Sequence, residues 1–192
     1  MSSTNTASDE LKESLTEYCN HKRNILGIEI VKNLITKVSE DQMYELLSSI
    51  TDSVRGYPVL TRAALRGHTE LCVTLLSSLP SADRLKLILV DKRTALHAAA
   101  WWGHTETVSG ILNCLTAEQR LQLLITQNKN RDTALHYAAH LGRTETVKSL
   151  LDNLTPEQQL KLLFTQNSDG DTALHEAAQE GHIGTVKSLL GN

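Results

Sequence analysis

The chain has 192 residues, of which 40% are apolar and 21% are charged, and its formal net charge at neutral pH is −3. These values are compatible with one globular domain or with one array of repeats. Positive and negative charges are nearly balanced, and the sequence contains no run of Lys or Arg. This excludes the electrostatic attraction that usually brings proteins to nucleic acids or anionic membranes, so we expect neither as a partner.

The N-terminal segment, residues 1–8, is polar. It lacks the order of charged and apolar residues that marks a secretory signal, and no apolar stretch long enough to span a bilayer follows it. We therefore expect residues 1–8 to form a disordered, solvated tail. The same features predict a cytoplasmic protein, and delivery into a host cell stays open.

The three cysteines, Cys19, Cys72 and Cys114, are odd in number and have no CxxC spacing. The sequence therefore indicates neither a disulfide framework nor a zinc site. Cys72 stands where later copies of a repeat have Val, so we expect a small buried apolar residue there. Reduced thiols fit a cytosolic setting.

A first, degenerate repeat is predicted over residues 9–54. Its segment VKNLITKVSEDQMYELL (31–47) matches VKSLLDNLTPEQQLKLL (147–163) position for position, including a capping box from Ser39 to Gln42. Its first helix would be the amphipathic stretch DELKESLTEYCNHK. The many charges of that helix suit a capping unit that faces water on one side.

Four further copies follow along the chain. The motif TALH begins at Thr94, Thr133 and Thr172, with a spacing of 39 residues, and a weaker copy begins at Pro58, 36 residues before Thr94. Self-similarity at a fixed period of this size indicates stacked supersecondary units. We predict repeats at 55–90, 91–129 and 130–168 and a partial C-terminal repeat at 169–192, all in one single array. The unaltered leucines near residue 190 favour a fragment of a longer array.

Each repeat is predicted to contain three helices joined by short hairpin-like loops. The first helix follows the Thr of TALH, whose hydroxyl is expected to accept the backbone N–H of the His while the imidazole reaches back. The second helix repeats the apolar spacing of an amphipathic helix, as between residues 108 and 115. The third begins at a capping box, TAEQ (116–119) or TPEQ (155–158). Structural capping is predicted for Thr94, His97, Thr133, His136, Thr172 and His175.

The pattern TALHxAAxxGHxExVxxLL, nearly complete at 94–112, 133–151 and 172–190, resembles the ankyrin repeat, whose consensus has TPLHxAAxxGH. With the weaker copies the resemblance covers about residues 9–192. An ordinary ankyrin unit has ~33 residues, and the surplus here is the third helix. The resemblance implies an all-α, ankyrin-type solenoid that acts as a non-catalytic scaffold or adaptor. It also implies partner contacts on the concave helix face and on the loop tips before TALH. Long-repeat variants resemble arrays of some invertebrates and intracellular symbionts, so a host-directed effector is an alternative.

Trp101 and Trp102 lie outside the core of their own repeat, because a rotation of ~100° per residue places them opposite the stripe that contains Leu96. The same two positions in four repeats form a strip that is apolar in the middle, with a cation at one end and an acid at the other. Such anchors, surrounded by polar residues, are typical of interfaces. The predicted partner-binding residues of this strip are Leu65, Arg66, Trp101, Trp102, His140, Leu141, Gln179 and Glu180. Those of the flanking loops are Lys92, Arg93, Lys129, Asn130, Asp132, Ser168, Asp169 and Asp171.

Other interpretations of the tryptophans stay open. The N-terminal segment or a neighbouring loop could cover them, or two arrays could pair through the strip as a self-associating structural element. They could also lie on a surface that binds nothing. We expect another protein as the partner and a monomer rather than a homo-oligomer.

The eight histidines raise an enzyme or metalloprotein as a competing class. Stacked repeats would separate the TALH histidines by ~10 Å, which is too far for one zinc ion with nitrogen ligands at ~2 Å. No HExxH, GxSxG or Gly-rich phosphate loop occurs, and NSDGD lacks the Glu that completes a calcium loop. We therefore expect no enzyme activity, no metal and no cofactor.

Overall fold

The computed structural model describes residues 3–20, 25–51, 56–90 and 94–191. Helices alternate with short loops throughout these ranges, and the extended pairing among them is one isolated antiparallel bridge between Thr51 and Pro58. In chain order the helices are α1 Ser3–Asn20, α2 Ile25–Ile35, α3 Glu40–Ser49, α4 Val59–Leu65, α5 Thr69–Ser77, α6 Ser81–Ile88, α7 Ala95–Trp102, α8 Thr105–Asn113, α9 Ala117–Leu124, α10 Ala134–His140, α11 Thr144–Leu151, α12 Pro156–Leu163, α13 Ala173–Gln179 and α14 Ile183–Leu189.

The helices stack in layers. The layer of first helices runs from α1 through α4, α7 and α10 to α13, and the layer of second helices runs from α2 through α5, α8 and α11 to α14. Contacts also join the two layers, for example between α7 and α8 and between α10 and α11. These contacts join neighbours along one axis, so the predicted all-α repeat solenoid is confirmed. The exact repeat boundaries, at residues 54, 90, 129 and 168, stay predictions.

The core between the layers is built from small residues on the first helices and branched residues on the second. Leu96, Ala99 and Ala100 of α7 are fully buried, and so are Val108 and Ile111 of α8. Alanine at two adjacent positions lets neighbouring first helices approach closely, because no long side chain separates them. Cys72 is likewise fully buried in α5, at the position where the later copies have Val.

The N-terminal part of the chain differs from its prediction. Helix α1 begins at Ser3, so the expectation of a disordered tail over residues 1–8 is wrong for residues 3–8. Ala7 is buried together with Leu11 and Leu15, four and eight residues further on. This spacing keeps all three on one face of a helix, so the apolar stripe extends into the predicted tail.

Of the four third helices in the described residues, α9 and α12 begin at capping boxes, whereas α3 and α6 begin without one. The hydroxyl of Thr116 accepts the backbone N–H of Gln119 (3.3 Å), whose side chain accepts the backbone N–H of Thr116 (3.1 Å). Thr155 and Gln158 make the same pair of bonds ahead of Pro156. The box predicted from Ser39 to Gln42 is wrong, because the Ser39 side chain accepts no capping hydrogen bond although Ser39 precedes α3.

The TALH histidine caps its own helix and bonds to the next repeat. The backbone N–H of Thr133 donates to His136 Nδ1 (3.2 Å), and the Thr133 hydroxyl lies 2.8 Å from the same nitrogen. Because Nδ1 accepts an N–H, the proton resides on Nε2, which donates to the carbonyl of Asp171 (3.1 Å) in the following loop. His97 Nε2 is placed in the same way against the carbonyl of Asp132 (3.0 Å).

A second set of bonds joins the repeats at the position after the turn glycine. His104 Nε2 lies 3.2 Å from the carbonyl of Leu65, and His182 Nε2 lies 3.0 Å from the carbonyl of His140. Arg143 stands at this position in the repeat between them and donates through Nε to the carbonyl of Trp101 (3.5 Å). The replacement of His by Arg therefore preserves a donor that reaches the preceding repeat.

The turn glycines make room for these donors. Gly67, Gly103 and Gly142 all have positive φ values between 62° and 72°. A Cβ atom at Gly142 would lie 2.6 Å from His182 Nδ1, and one at Gly103 would lie 2.8 Å from a side-chain carbon of Arg143. The next repeat therefore packs directly against the glycine backbone.

Among the described residues, none of the helices combines the length and the apolar character needed to cross a membrane.

Substituting Gly142 tests how tightly the repeats pack. Gly170 also has a positive φ, of 83°, but a Cβ there would meet no atom within 4 Å. We expect Gly170→Ala to lower the free energy of unfolding by about 1 kcal/mol through backbone strain. Gly142→Ala is expected to cost about 1–3 kcal/mol more, because it also displaces His182. Chemical denaturation followed by circular dichroism measures both, and equal losses would contradict direct packing on the glycine.

Candidate functional site

A cleft opens on the side of the array that carries the first helices and the loops before them. Its volume is about 560 Å³, and it spans α7, α10 and α13 together with the loops that precede α10 and α13. Two aromatic rings and three carboxylates share its surface, so we name it the aromatic–acidic cleft. Its lining residues are Trp101, Asn130, Asp132, His136, Tyr137, His140, Asn167, Ser168, Asp169 and Glu176.

The repeat geometry brings these side chains together. Trp101 and His140 occupy equivalent positions in consecutive repeats, and so do Tyr137 and Glu176. Within α10, Tyr137 and His140 are three residues apart and therefore share a face of the helix. The helix walls of the cleft are thus two columns of equivalent positions, read across three successive repeats.

The aromatic wall is a corner formed by two rings. The ring centroids of Trp101 and Tyr137 are 4.9 Å apart, and their planes meet at 83°. Trp101 is partly buried by this contact, whereas Trp102 is 52% exposed. The two tryptophans therefore differ: the neighbouring repeat partly covers Trp101, and Trp102 remains largely open.

The loops of the cleft are held by asparagine side chains. Asn167 Oδ1 accepts the backbone N–H groups of Asp169 and Asp171, each at 3.0 Å. Asn128 Oδ1 does the same for two N–H groups of the preceding loop, at 2.8 and 2.9 Å. The loops are also joined to each other, since the Ser168 N–H donates to the carbonyl of Asn130 (2.9 Å). NSDGD is therefore a turn closed by its own Asn.

Hydrogen bonds fix the carboxylates at the base of the cleft. Asn167 Nδ2 donates to Glu176 Oε1 (2.9 Å) and to Asp132 Oδ1 (3.3 Å). His140 Nδ1 lies 3.0 Å from Glu176 Oε2. Asn128 Nδ2 donates to the phenol oxygen of Tyr137 (2.7 Å). Among the described residues, none that lines the cleft is a Lys or an Arg.

His136 lines the inner end of the cleft and is 1% exposed. Burial lowers the pKa of its imidazole below the ordinary value, although its bond to the Asp171 carbonyl acts in the opposite direction. The buried ring therefore remains neutral, as its accepting Nδ1 requires.

Those predicted partner-binding residues that the structure describes divide into two groups. Six of them line the cleft: Trp101, Asn130, Asp132, His140, Ser168 and Asp169. Others lie around it on the same strip and loops, outside the lining: Leu65, Arg66, Trp102, Leu141, Gln179, Glu180, Lys129 and Asp171. Lys92 and Arg93 lie outside the described residues.

Sequence reasoning missed Tyr137, Asn167 and Glu176, which all line the cleft. A signal for two of them was present. Ala98 is three residues before Trp101 and therefore shares a face of α7 with it, and the residues equivalent to Ala98 in the next two repeats are Tyr137 and Glu176. Following that position along the array would have found them. Asn167 has no such signal, because its role depends on how two loops stack.

Metal binding has no support in the described ranges. No group of three His, Cys, Asp or Glu side chains among these residues is placed to hold a metal ion. Both ring nitrogens of His97 and His136 are within hydrogen-bonding distance of Thr and backbone partners.

The stacked helical layers and the cleft on their first-helix side define a helical repeat protein of the solenoid class. Comparison with known families gives the particular one. A family model described as ankyrin repeats (3 copies) matches residues 22–122 and 115–192, so the chain belongs to the ankyrin repeat family. Proteins of this family are generally protein-interaction modules and are typically non-catalytic. A search of curated proteins found no match.

Acidification is expected to weaken the array. The pKa values of His136 and His68 are both lowered by burial, so each neutral ring is favoured in the folded chain. At a pH above about 6.5, the pKa of histidine in the unfolded chain, the ring is neutral in both the folded and the unfolded chain, and protonation does not reduce the free energy of unfolding. As the pH falls from there towards the lowered pKa, the unfolded chain binds more protons, and each such histidine costs up to about 1.4 kcal/mol per pH unit.

The variant His136→Gln tests this mechanism. Gln caps α9 and α12 at the equivalent position, so the bond to the Thr133 N–H can persist while the bond to Asp171 is lost. We expect the free energy of unfolding at neutral pH to fall by about 1 kcal/mol. We also expect the free energy of unfolding to decrease less steeply on acidification than in the unaltered chain. Urea denaturation at several pH values measures both, with His175→Gln, at the exposed copy of the motif, as control. An unchanged decline in His136→Gln would contradict the assignment.

The two tryptophans are expected to differ in fluorescence. In Trp101→Phe the remaining Trp102 should emit at long wavelength and be strongly quenched by acrylamide, because half of its surface is exposed. In Trp102→Phe the remaining Trp101 should emit at shorter wavelength and be quenched less, because it packs against Tyr137. Protected emission from Trp102 would mean that another part of the chain or a second copy covers it.

Proposed function

We propose that this chain is a non-catalytic scaffold or adaptor that binds another protein through its first-helix face and loop tips. The observation that carries the proposal is the exposure of Trp102, at 52%, on the strip beside a cleft of about 560 Å³. Tryptophan is enriched among the residues that contribute most to binding free energy, and exposing so large an apolar side chain to water is unfavourable. The strip and flanking loops named in the sequence analysis form the proposed interface, with the cleft at its centre.

The rigidity of this surface supports a binding role. Asn128 and Asn167 close their loops, and the bond from Ser168 to Asn130 joins one loop to the next. A surface already ordered before association loses less conformational entropy when a partner arrives. The interface therefore has to order few of its own backbone segments.

The charges along the strip support a preferred direction of binding. Arg66 is exposed near one end, and Glu180 is exposed near the other. A partner segment with the opposite order of charges would be aligned by these ends before close contact forms. We propose that the chain acts in the cytoplasm as a monomer.

Affinity capture with matched variants tests the proposed interface. Trp102→Ala removes the exposed anchor, and Phe164→Ala removes an equally apolar side chain that is 73% exposed at the end of α12. We expect partner proteins to be retained by the unaltered chain and by Phe164→Ala and to be lost from Trp102→Ala. Retention by Trp102→Ala with loss from Phe164→Ala would move the interface to the third helices.

Self-association is the second function that the exposed Trp102 favours, since one self-complementary patch is enough to pair two copies. Sedimentation over a range of concentrations separates the two functions. We expect a monomer throughout. A dimer that Trp102→Ala abolishes would show instead that the strip joins two copies of the chain.

A further inference from the structure

The chemistry of the aromatic–acidic cleft indicates what kind of group it accepts. Its described lining combines the rings of Trp101 and Tyr137 with three carboxylates and includes no Lys or Arg. We propose that the cleft binds an arginine side chain presented by an extended segment of the partner. This inference rests on the proposed function and adds to it the chemical class of the anchoring residue.

The aromatic corner provides the first half of the recognition. A cation placed over the face of an indole or phenol ring is attracted by the negative charge of the ring face, and Trp is the strongest such partner. Trp101 and Tyr137 meet at 83°, so two walls of the cleft are rings set nearly at a right angle. A planar guanidinium can stack on one ring while the methylene groups of its side chain contact the other.

The carboxylates provide the second half. Each oxygen of the Asp132 and Glu176 carboxylates has one partner inside the protein: Asn167 and Asn128 donate to Asp132, and Asn167 and His140 contact Glu176. A carboxylate has about four lone-pair positions, so about two remain on each for a ligand. Asp169 is exposed at the tip of the loop above them. A guanidinium carries five N–H donors in a planar fork and therefore satisfies several acceptors at once.

Fixed geometry makes the acidic side of the cleft selective. Glu176 is held from two sides, by Asn167 at 2.9 Å and by His140 at 3.0 Å, and its side chain is only 17% exposed. A carboxylate held in one position favours a rigid planar partner over a flexible one. The guanidinium is also more weakly hydrated than the ammonium of Lys, so it loses less on entering a partly buried site beside aromatic rings.

A short peptide tests the cleft independently of any natural partner. N-acetyl-Gly-Arg-Gly-amide is titrated into the Trp102→Phe variant, in which Trp101 provides the single indole N–H signal in the NMR spectrum. We expect a saturable shift of that signal with a dissociation constant on the order of 1 mM, as suits one side chain. The citrulline peptide has the same shape without the charge, and it should bind at least about tenfold more weakly. A lysine peptide that binds as tightly as the arginine peptide would overturn the assignment to arginine.

Matched charge variants locate the binding within the cleft. Glu176→Gln should weaken the arginine peptide about tenfold, since it removes one charge-assisted contact. Glu106→Gln removes the same charge from an exposed side chain in the first turn of α8, outside the lining and outside the proposed interface, and should change the affinity less than about twofold. Asp169→Asn, at the exposed loop tip, provides a second variant if Glu176→Gln fails to fold. Equal losses in Glu176→Gln and Glu106→Gln, or no shift of Trp101, would overturn the proposal.

The two proposals can fail separately. If capture depends on Trp102 but the arginine peptide does not shift Trp101, the chain is an interaction module whose cleft takes another group. If the arginine peptide binds but Trp102→Ala retains the same partner proteins as the unaltered chain, the cleft binds arginine and Trp102 is not part of the interface.

Discussion

The whole structure depends on how one repeat is fixed to the next, and the buried imidazole of the TALH motif makes that connection. His136 uses one ring nitrogen to cap its own helix and the other to bind the carbonyl of Asp171 in the following loop. A buried imidazole left without either partner would be costly, so the bond sets the position of the next loop relative to the helix. His104, Arg143 and His182 fix the opposite end of the first helices in the same way. Because both ends of the first helices are fixed, equivalent residues of successive repeats lie side by side. The residues at any one position of the repeat therefore form a continuous row on the surface.

The sequence predicted what the repeats share. A motif that recurs at a fixed interval predicts the helices, the core positions and the capping residues of every copy, because each copy must make the same contacts with its neighbours. Predictions were less successful where the pattern ends or is degenerate. Helix α1 extends to Ser3 because Ala7 continues the apolar stripe of Leu11 and Leu15, a continuation too short to be seen against a polar composition. Ser39 resembles the capping Thr of later repeats, yet its hydroxyl makes no cap, since similarity of sequence does not determine a side-chain rotamer.

The cleft could be predicted only in part, for a related reason. Trp101, His140 and the loop residues were found because they vary between repeats that are otherwise alike. Whether Trp101 stays open depends on what stands three residues before His140, and that residue, Tyr137, covers part of the indole. The distinction between Trp101 and Trp102 therefore lies in the contact between two repeats, whereas the helical rotation of a single repeat places both on the same side. Asn167 shows the same limit, because it bonds to Asp132 of one loop and to Glu176 of the next helix.

Binding at this cleft would also be coupled to the stability of the stack. Trp101, Tyr137 and Glu176 belong to three successive repeats, and His136, which lines the cleft, is itself the residue that fixes one repeat to the next. In a solenoid, stability is a sum of intrinsic repeat terms and nearest-neighbour interfaces. A ligand side chain that contacts three repeats at once binds only when the two interfaces between those repeats are formed. By mass action its binding free energy therefore stabilises both interfaces. If the cleft binds a partner as proposed, its occupation would make the central repeats more cooperative, and loss of the stacking bonds would remove the site with them.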